Sequence, residues 1–237
     1  METPVLEPGE AYALWAKHYP PRAHNPFMQA EERAMLALLP TDLSGCQILD
    51  AGCGSGRYMR QALLRGAAAV VGIDLSTEML RRAQGEVLSA RAPGLVERWQ
   101  AALARASLEA VPIRDDWADI TLCGLTLGHL SDLPTALAEL RRVTRPGGTL
   151  LCSDFHPAGE AIGWKRIFKA NGRRYAVRHT THTLDVWRAA CQGAGLTLRC
   201  VVEPRLDPAD IPRGVHLDPA ALETPVALIV ALGFNPH

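Results

Sequence analysis

The sequence predicts an α/β fold built on a parallel sheet, and three observations support this prediction. Residues 48–50 and 69–74 are apolar runs that end in an acid, which is typical of buried parallel strands. Apolar residues at helical spacing follow each run, among them Leu63 and Met79. A glycine-rich turn joins the first run to its helix. Strand, helix and strand in this order form a βαβ unit, in which the two strands lie side by side.

The length and charge of the chain limit its number of domains and the classes of partner that it can bind. Its 237 residues suffice for one α/β domain with a small addition, and we expect a single domain over residues 1–237. The 25 basic and 25 acidic residues cancel, so neither nucleic acid nor an anionic membrane is an expected partner. No apolar run reaches membrane-spanning length, and the first residues show no signal-peptide pattern.

The six cysteines bear on compartment and metal binding. They show neither a C-x-x-C pair nor a zinc spacing, and several stand in apolar runs, where a reduced cysteine behaves as a small hydrophobic residue. We therefore expect free thiols, no metal site and a cytoplasmic protein. The arms at both ends are compatible with a monomer or a homodimer.

The elements outside the first βαβ unit follow from the same rules. Helices are predicted over residues 11–19, 26–39, 134–143 and 184–194 from their apolar spacing. Strands are predicted within residues 98–103 and over residues 120–124, 149–152, 196–202 and 225–232. Residues 204–222 contain several prolines and are expected to be irregular.

The turn after the first strand runs Asp50-Ala51-Gly52-Cys53-Gly54-Ser55-Gly56. Glycine lets the backbone take left-handed angles and approach a ligand closely. The helix that begins there directs free N–H groups and the positive end of its dipole to the same place. Asp74, at the end of the second strand, would lie beside the turn and can accept hydrogen bonds from two ribose hydroxyls. A nucleoside cofactor is therefore predicted.

The glycine spacing distinguishes between two classes of nucleoside cofactor, a dinucleotide and a nucleoside that carries a methionine moiety. Dinucleotide sites carry G-x-G-x-x-G, whereas the spacing here is G-x-G-x-G with the acid Asp50 just before it. An acid at this point would repel a pyrophosphate, but it suits the ammonium of a methionine moiety. A glycine turn without a ligand is the remaining alternative, and the order of strand, turn, helix, strand and acid disfavours it.

The segment from Asp50 to Gly56 resembles motif I of the class I S-adenosylmethionine-dependent methyltransferases, with Asp74 as the ribose acid. Two more segments, at residues 111–120 and at the Arg-Pro-Gly-Gly turn of residues 145–148, are similar to the ubiquinone/menaquinone-type members. The resemblance implies a Rossmann-like, doubly wound sheet of seven strands whose last strand is antiparallel. It also implies a helical flap (residues 1–40), a cofactor-binding core (41–157), a lid inserted after strand 5 (158–182) and a C-terminal part of the sheet (183–237).

The resemblance implies S-adenosyl-L-methionine as cofactor and assigns residues to its site. The cofactor-binding residues are Tyr19, Asp50, Ala51, Gly52, Cys53, Gly54, Gly56, Asp74, Leu75, Ala106, Ser107 and Leu125. The segment that holds Tyr19 is either a flap over the cofactor or an amphipathic helix packed on the domain. The acid that binds adenine in the family has no counterpart at residues 104–107, so Ser107 or a backbone carbonyl would take that role.

His129 and His156 follow strand ends and are the predicted catalytic residues, since ligands lie beyond the carboxyl ends of parallel strands. Either histidine is a base for a hydroxyl or carbon acceptor, or a residue that shapes the pocket. Trp164, Tyr175, His179 and His182 of the lid are expected to bind the substrate. A metal held by His156, His179 and His182 is disfavoured, because no carboxylate or cysteine in the lid completes a signature.

Three functions remain open. The first is methyl transfer to an oxygen, carbon or nitrogen atom of a small molecule, which is the favoured interpretation. The second keeps the cofactor but uses an acceptor on an acyl carrier protein or in RNA. The third is a non-catalytic subunit with the same fold, which the intact Asp50 and glycines disfavour.

Overall fold

The computed structural model describes residues 3–89, 100–212, 214 and 217–234. The strands are β1 (Val5–Leu6), β2 (Gln47–Ala51), β3 (Ala69–Asp74), β4 (Gln100–Arg105), β5 (Ala118–Gly124), β6 (Thr144–Phe155), β7 (Ile167–Ala170), β8 (Arg173–Val177), β9 (Leu196–Val202) and β10 (Ala227–Phe234). The α-helices are α1 (Pro8–Trp15), α2 (Pro26–Ala37), α3 (Arg57–Leu64), α4 (Thr77–Ser89), α5 (Leu133–Val143), α6 (Pro157–Ala161), α7 (Leu184–Gly193) and α8 (Pro219–Glu223). Short 3₁₀ helices lie at Ala16–His18, Leu127–His129 and Pro208–Asp210.

Seven strands form the main sheet in the order β4-β3-β2-β5-β6-β10-β9. The pairs β3–β4, β2–β3, β2–β5 and β5–β6 are parallel, whereas β10 is antiparallel to both β6 and β9. This confirms the predicted doubly wound α/β fold with an antiparallel last strand. The strand order reverses between β2 and β5, so the carboxyl ends of these two strands flank the crevice where ligands bind in such folds.

The core consists of one apolar layer on each face of the sheet. On one face α5 and α7 bury Leu137, Leu140 and Trp187 against the strands. On the other, α2 and α3 bury Met35 and Leu63. Each large side chain removed from water contributes roughly 1.5–3 kcal/mol, which is why the helices hold the sheet from both sides.

Side-chain caps determine where several of these helices begin. Asn25 accepts a hydrogen bond from the amide of Met28 at 2.9 Å, and Pro26 occupies the first turn of α2. Ser76 accepts from the amide of Met79 at 3.2 Å at the start of α4. Asp132 caps α5 through the amide of Thr135 at 3.0 Å. Each cap satisfies an amide that has no partner inside its helix.

The lid, for which the sequence predicts no helix or strand, contains both. Residues 158–182 contain most of α6 and a hairpin in which β7 and β8 pair in antiparallel register. The N-terminal strand β1 adds to this hairpin, with Val5 opposite Ala176 and Leu6 opposite Val177. The N-terminal segment and the lid therefore share one three-stranded sheet.

Other predicted boundaries moved by a few residues. Strand β6 runs to Phe155 and is longer than the predicted 149–152, because it pairs with both β5 and β10. Strand β4 begins at Gln100, and residues 98–99 of its predicted range lie outside the described residues. Within the described part of the chain, no helix has the length and apolarity needed to cross a membrane.

Candidate functional site

The largest concentration of predicted site residues lies at the strand-order reversal, around a cavity of about 1030 Å³ that includes space open to solvent. We call it the cofactor cavity. The predicted residues that line it are Tyr19, Gly52, Cys53, Gly54, Asp74, Leu75, Ala106, Ser107, Leu125 and His129. The ends of β2, β3, β4 and β5 thus meet at one place, as parallel strand ends must.

Asp74 joins the glycine turn to the next helix. Its Oδ2 accepts a hydrogen bond from the amide of Gly54 at 2.9 Å, and its Oδ1 accepts from the amide of Ser76 at 2.8 Å. Burial raises the pKa of Asp74, while these amide donors act in the opposite direction. A carboxylate oxygen can accept more than one hydrogen bond, so both oxygens can still receive ribose hydroxyls.

Asp50, Ala51 and Gly56 do not line the cofactor cavity, in contrast to the sequence-based assignment. Asp50 is 1% exposed and accepts a hydrogen bond from the amide of Met59 at 3.0 Å, which ties β2 to the first turn of α3. Burial raises the pKa of Asp50 to about 7. A Cβ at Gly56 would lie 3.2 Å from Ala83, so this glycine lets α3 approach α4. Asp50 and Gly56 therefore hold the glycine turn against α3 and α4 and do not face the cavity.

Backbone conformation shapes the rim of the cavity. Gly54 has a φ of 53°, which favours glycine. Leu125, directly after β5, has a φ of 55°, an uncommon value for a residue with a side chain. A Cβ at Gly52 would lie 2.4 Å from Cγ2 of Thr126, so the two strand-end turns touch. This close approach holds both turns at the same cavity.

Residues 104–107, which are predicted to lie near adenine, contain no acid. Ala106 and Ser107 line the cofactor cavity, and the amide of Ala106 donates to the carbonyl of Asp74 at 3.1 Å. Ser107 Oγ accepts from the amide of Glu109 at 3.2 Å, which leaves its own hydroxyl proton available. Ser107 can therefore still meet the adenine ring.

The N-terminal helix closes the cavity from the flap side. Tyr12 and Tyr19 both line the cavity, and Tyr12 donates from its hydroxyl to Nε2 of His129 at 3.0 Å. His129 Nδ1 donates to the carbonyl of Arg178 in the lid at 3.1 Å. A carbonyl can only accept, so the ring carries its proton on Nδ1 and accepts from Tyr12 at Nε2. His129 links flap and lid.

The electrostatics of His129 disfavour a strong base. Burial lowers its pKa to about 3, and the nearby cation Arg166 acts in the same direction. The ring is neutral at physiological pH and takes up a proton poorly. Its catalytic role stays a prediction, and the geometry favours a role in positioning.

Arg166 is a site residue that the sequence did not single out. It lines the cofactor cavity and two further cavities, and its guanidinium lies 5.2 Å from the ring centre of Phe155 and 5.5 Å from that of Tyr12. Nη1 donates to the carbonyl of Leu125 at 3.4 Å, whereas the buried Nε has no hydrogen-bond partner. Within the described part of the chain, no carboxylate forms an ion pair with it.

Arg166 keeps its charge in this setting. Burial disfavours the cation, but Tyr12, Tyr19 and Asp154 raise the pKa of Arg166 above its ordinary value. An arginine whose donor is buried and unpartnered at the junction of three cavities is arranged to meet an anionic ligand.

The two cavities beside Arg166 lie under the lid. The lid cavity, of about 860 Å³, is bordered by His156, Trp164 and His179. The aromatic groove, of about 1040 Å³, is bordered by Trp15, Phe27, Phe155, Trp164 and other apolar residues. Both volumes include space open to solvent. Trp164 borders both cavities, and its role in substrate binding stays a prediction.

The lid histidines differ in position. His179 Nε2 bonds Oδ1 of Asp154 at 2.7 Å, and Asp154 also accepts from the amide of Gly128. Burial opposes the charge of Asp154, but the hydrogen bond from His179 keeps the pKa of Asp154 low. His182 lines none of the three cavities.

His156 and Tyr175 have local structural contacts. His156 Nδ1 accepts from the amide of Ala158 at 3.0 Å and so caps α6, while Nε2 bonds Glu203 at 3.0 Å. Tyr175 packs against Phe168, with ring centres 5.5 Å apart, and lines none of the three cavities. Among the described residues, no group of three or more His, Cys, Asp or Glu is arranged to hold a metal.

A buried network that sequence reasoning missed supports the cofactor cavity. Glu31 is fully buried and accepts from Tyr58 at 2.7 Å, from Ser153 at 2.5 Å and from Arg57 at 2.9 Å. It thereby fixes α2, α3 and β6 to one another. The sequence signal for this network is Glu31 itself, an acid on the apolar face of the helix predicted over residues 26–39.

Comparison with known proteins agrees with this geometry. A family model described as a methyltransferase domain matches residues 49–152. Malonyl-[acyl-carrier protein] O-methyltransferase of Pectobacterium atrosepticum is 35% identical over 164 residues, which is 67% of this chain and 56% of that protein. The chain spans about half the length of the curated relatives it matches.

Solved structures show the same fold. An S-adenosylmethionine-dependent methyltransferase from Mesorhizobium loti is 26% identical with a TM-score of 0.64, over 86% of this chain and 97% of that one. The [4+2]-cyclase SpnF is 18% identical with a TM-score of 0.68 over 100% of both chains, a likeness of fold alone.

The fold and the cavity define a Rossmann-like protein that binds a nucleoside cofactor where its strand order reverses. The glycine turn with φ of 53° at Gly54 and the two oxygens of Asp74 fit the ribose and methionine parts of S-adenosylmethionine. The chain belongs to the class I S-adenosylmethionine-dependent methyltransferases, an enzyme family whose cofactor is S-adenosylmethionine.

Proposed function

We propose that this chain methylates a carboxylate oxygen of an acyl group carried as a thioester by an acyl carrier protein. The observation that carries the proposal is Arg166, a half-buried cation whose buried Nε–H has no partner and which borders the cofactor cavity, the lid cavity and the aromatic groove. Malonyl-[acyl-carrier protein] O-methyltransferases among the relatives support it.

The cofactor half of the proposal uses the residues at the strand ends. Asp74 would accept from the ribose hydroxyls, Gly52 and Gly54 would admit the cofactor close to the backbone, and Tyr19 would cover it. When bound, S-adenosylmethionine supplies an electrophilic methyl group on a sulfonium.

The acceptor half follows from the charge of Arg166. The planar guanidinium matches a carboxylate in shape and charge, so it would orient one carboxylate oxygen toward the cofactor cavity. A carboxylate is ionised at neutral pH and needs no base to act as a nucleophile. This agrees with the low proton affinity of His129, whose pKa is about 3. Positioning and exclusion of water would supply the rate enhancement.

A small molecule with a hydroxyl group is the second candidate acceptor. His179 and Asp154 form a hydrogen-bonded pair beside the lid cavity, an arrangement that can take up the proton of a hydroxyl. This candidate predicts that His179→Asn loses turnover with a hydroxyl acceptor.

Two acceptors that differ in one carboxylate test the proposal. Purified protein is incubated with methyl-labelled S-adenosylmethionine and either malonyl or acetyl thioester of acyl carrier protein. We expect label only on the malonyl substrate. The label should be present as a methyl ester, from which alkali releases labelled methanol. Equal labelling of both, or labelling of hydroxyl acceptors alone, would overturn the carboxylate assignment. Binding of S-adenosylhomocysteine without methylation of any acceptor would indicate a non-catalytic member.

A further inference from the structure

The positive charge of the lid is out of proportion to that of the chain. Residues 158–182 contain six of the 25 lysines and arginines but a single acid, Glu160, although the whole chain has no net charge. Clustering of one sign on one segment creates a local field that a partner of opposite sign can follow.

The strand register places part of this charge on one face of the hairpin. Side chains alternate along a strand, so Lys169 projects to the same side as Ile167. Arg174 is the register partner of Lys169, which places it on that side as well. Lys165 and Ile167 border the aromatic groove. Lys165, Ile167, Lys169 and Arg174 thus form a surface that we call the basic hairpin face.

The charges of this face are free to meet a partner. Lys165, Lys169 and Arg174 are exposed, and none forms a salt bridge within the described residues. By contrast, Arg178 at the end of the lid pairs with Glu7. Among the described residues that border the aromatic groove, none is acidic, and Lys165 and Arg166 are cationic. The hairpin side of the groove is therefore positively charged.

The aromatic groove adjoins the cofactor cavity. Met28, Leu125 and Arg166 border both, so a ligand that lies in the groove beside Ile167 is next to the wall of the cofactor cavity. The groove is lined mainly by apolar and aromatic side chains, which suits the arm of a tethered thioester.

We propose that the basic hairpin face docks the acidic acyl carrier protein that delivers the acyl group, with the aromatic groove as the path of its arm. The inference rests on the proposed function. Charge complementarity selects an acidic protein. Single-stranded nucleic acid would require exposed aromatic side chains between the cations, whereas Phe168 of the hairpin is buried and Tyr175 stacks on it.

The test compares carrier-bound and carrier-free substrates in one charge-reversal variant. Lys169→Glu/Arg174→Glu reverses two charges of the face without touching a residue that borders the groove. The matched control, Arg81→Glu/Arg114→Glu, makes the same charge change at exposed positions outside the lid. Substrates are the malonyl thioesters of acyl carrier protein and of N-acetylcysteamine.

For Lys169→Glu/Arg174→Glu, kcat/KM with the carrier-bound substrate should fall roughly tenfold or more at low salt, mainly through KM, and the loss should shrink as salt is raised. With the carrier-free thioester it should stay within about twofold, and the control should change neither value by more than that. Equal losses for both substrates, or no loss for either, would overturn the docking assignment. Binding of RNA or anionic vesicles by this face, with unchanged carrier kinetics, would also overturn it.

Failure of the proposed function gives a different pattern. If neither malonyl thioester is methylated, the carboxylate assignment fails, and docking is then measured by titrating holo acyl carrier protein into the unmodified protein and the double variant. Weaker binding by the variant alone would support the basic hairpin face, and equal binding would reject it.

Discussion

Replacement of Arg166 by methionine is the most direct perturbation of the proposed acceptor site. Methionine fills much of the same volume and keeps the contact with Phe155 and Tyr12, but it removes the cation and its donors. Arg166→Lys is the companion variant, since it keeps the charge without the planar fork.

The expected magnitude follows from the bond that is lost. A hydrogen bond to a charged group contributes about 1.5–3 kcal/mol, and each 1.4 kcal/mol corresponds to about tenfold. We expect Arg166→Met to lose roughly ten- to a hundredfold in kcat/KM for a carboxylate acceptor, and Arg166→Lys to lose less. Stability should fall little, because Arg166 forms no ion pair within the described residues, its buried Nε lacks a partner, and its hydrogen bond to the carbonyl of Leu125 is long at 3.4 Å.

The assay measures S-adenosylhomocysteine release at varied acceptor concentration, with calorimetry for cofactor affinity and thermal unfolding for stability. The loss should appear with unchanged S-adenosylhomocysteine affinity and a nearly unchanged Tm. An unaltered kcat/KM, or a loss accompanied by weaker cofactor binding and a lower Tm, would refute the reasoning and return Arg166 to a structural role.

Three further predictions follow from the cofactor cavity. Asp74→Asn replaces an acceptor oxygen by a donor, so calorimetry should show at least about tenfold weaker S-adenosylhomocysteine binding; near-normal affinity would contradict the ribose assignment. Because burial raises the pKa of Asp50 from 3.8 to about 7, the folded state binds more protons there and stability falls as pH rises through that window. Asp50→Asn should remove this slope, a difference on the order of 1–4 kcal/mol above pH 7 in denaturant titrations, and parallel curves would contradict it. Since the pKa of His129 is about 3, kcat with a carboxylate acceptor should not vary between about pH 6 and 8.5, and a limb near the ordinary histidine pKa would indicate a base.

Local patterns were enough to predict the cofactor half. Residues 48–50, the glycine turn and Asp74 determine a βαβ unit through short-range spacing, and the structure has β2, α3 and β3 there. The predicted strand over residues 196–202 coincides with β9. Apolar periodicity reflects which face of an element is buried, and this depends little on distant partners.

The lid escaped prediction because its strands depend on distant partners. Strands β7 and β8 are four and five residues long and rich in charge, and β1, two residues long, pairs with β8 from the other end of the chain. Strands this short gain most of their stability from neighbours, so their sequence alone reads as a loop.

The sequence by itself determined the fold class, the cofactor and most of the strand-end residues that line the cofactor cavity, since backbone geometry and residue spacing suffice for these. Only the tertiary structure decided that Asp50 lies beneath the turn, that His129 is held between Tyr12 and the lid, and that Arg166 borders three cavities. The reason is physical: burial, hydrogen-bond partners and the resulting charge state arise where segments far apart in the chain pack together.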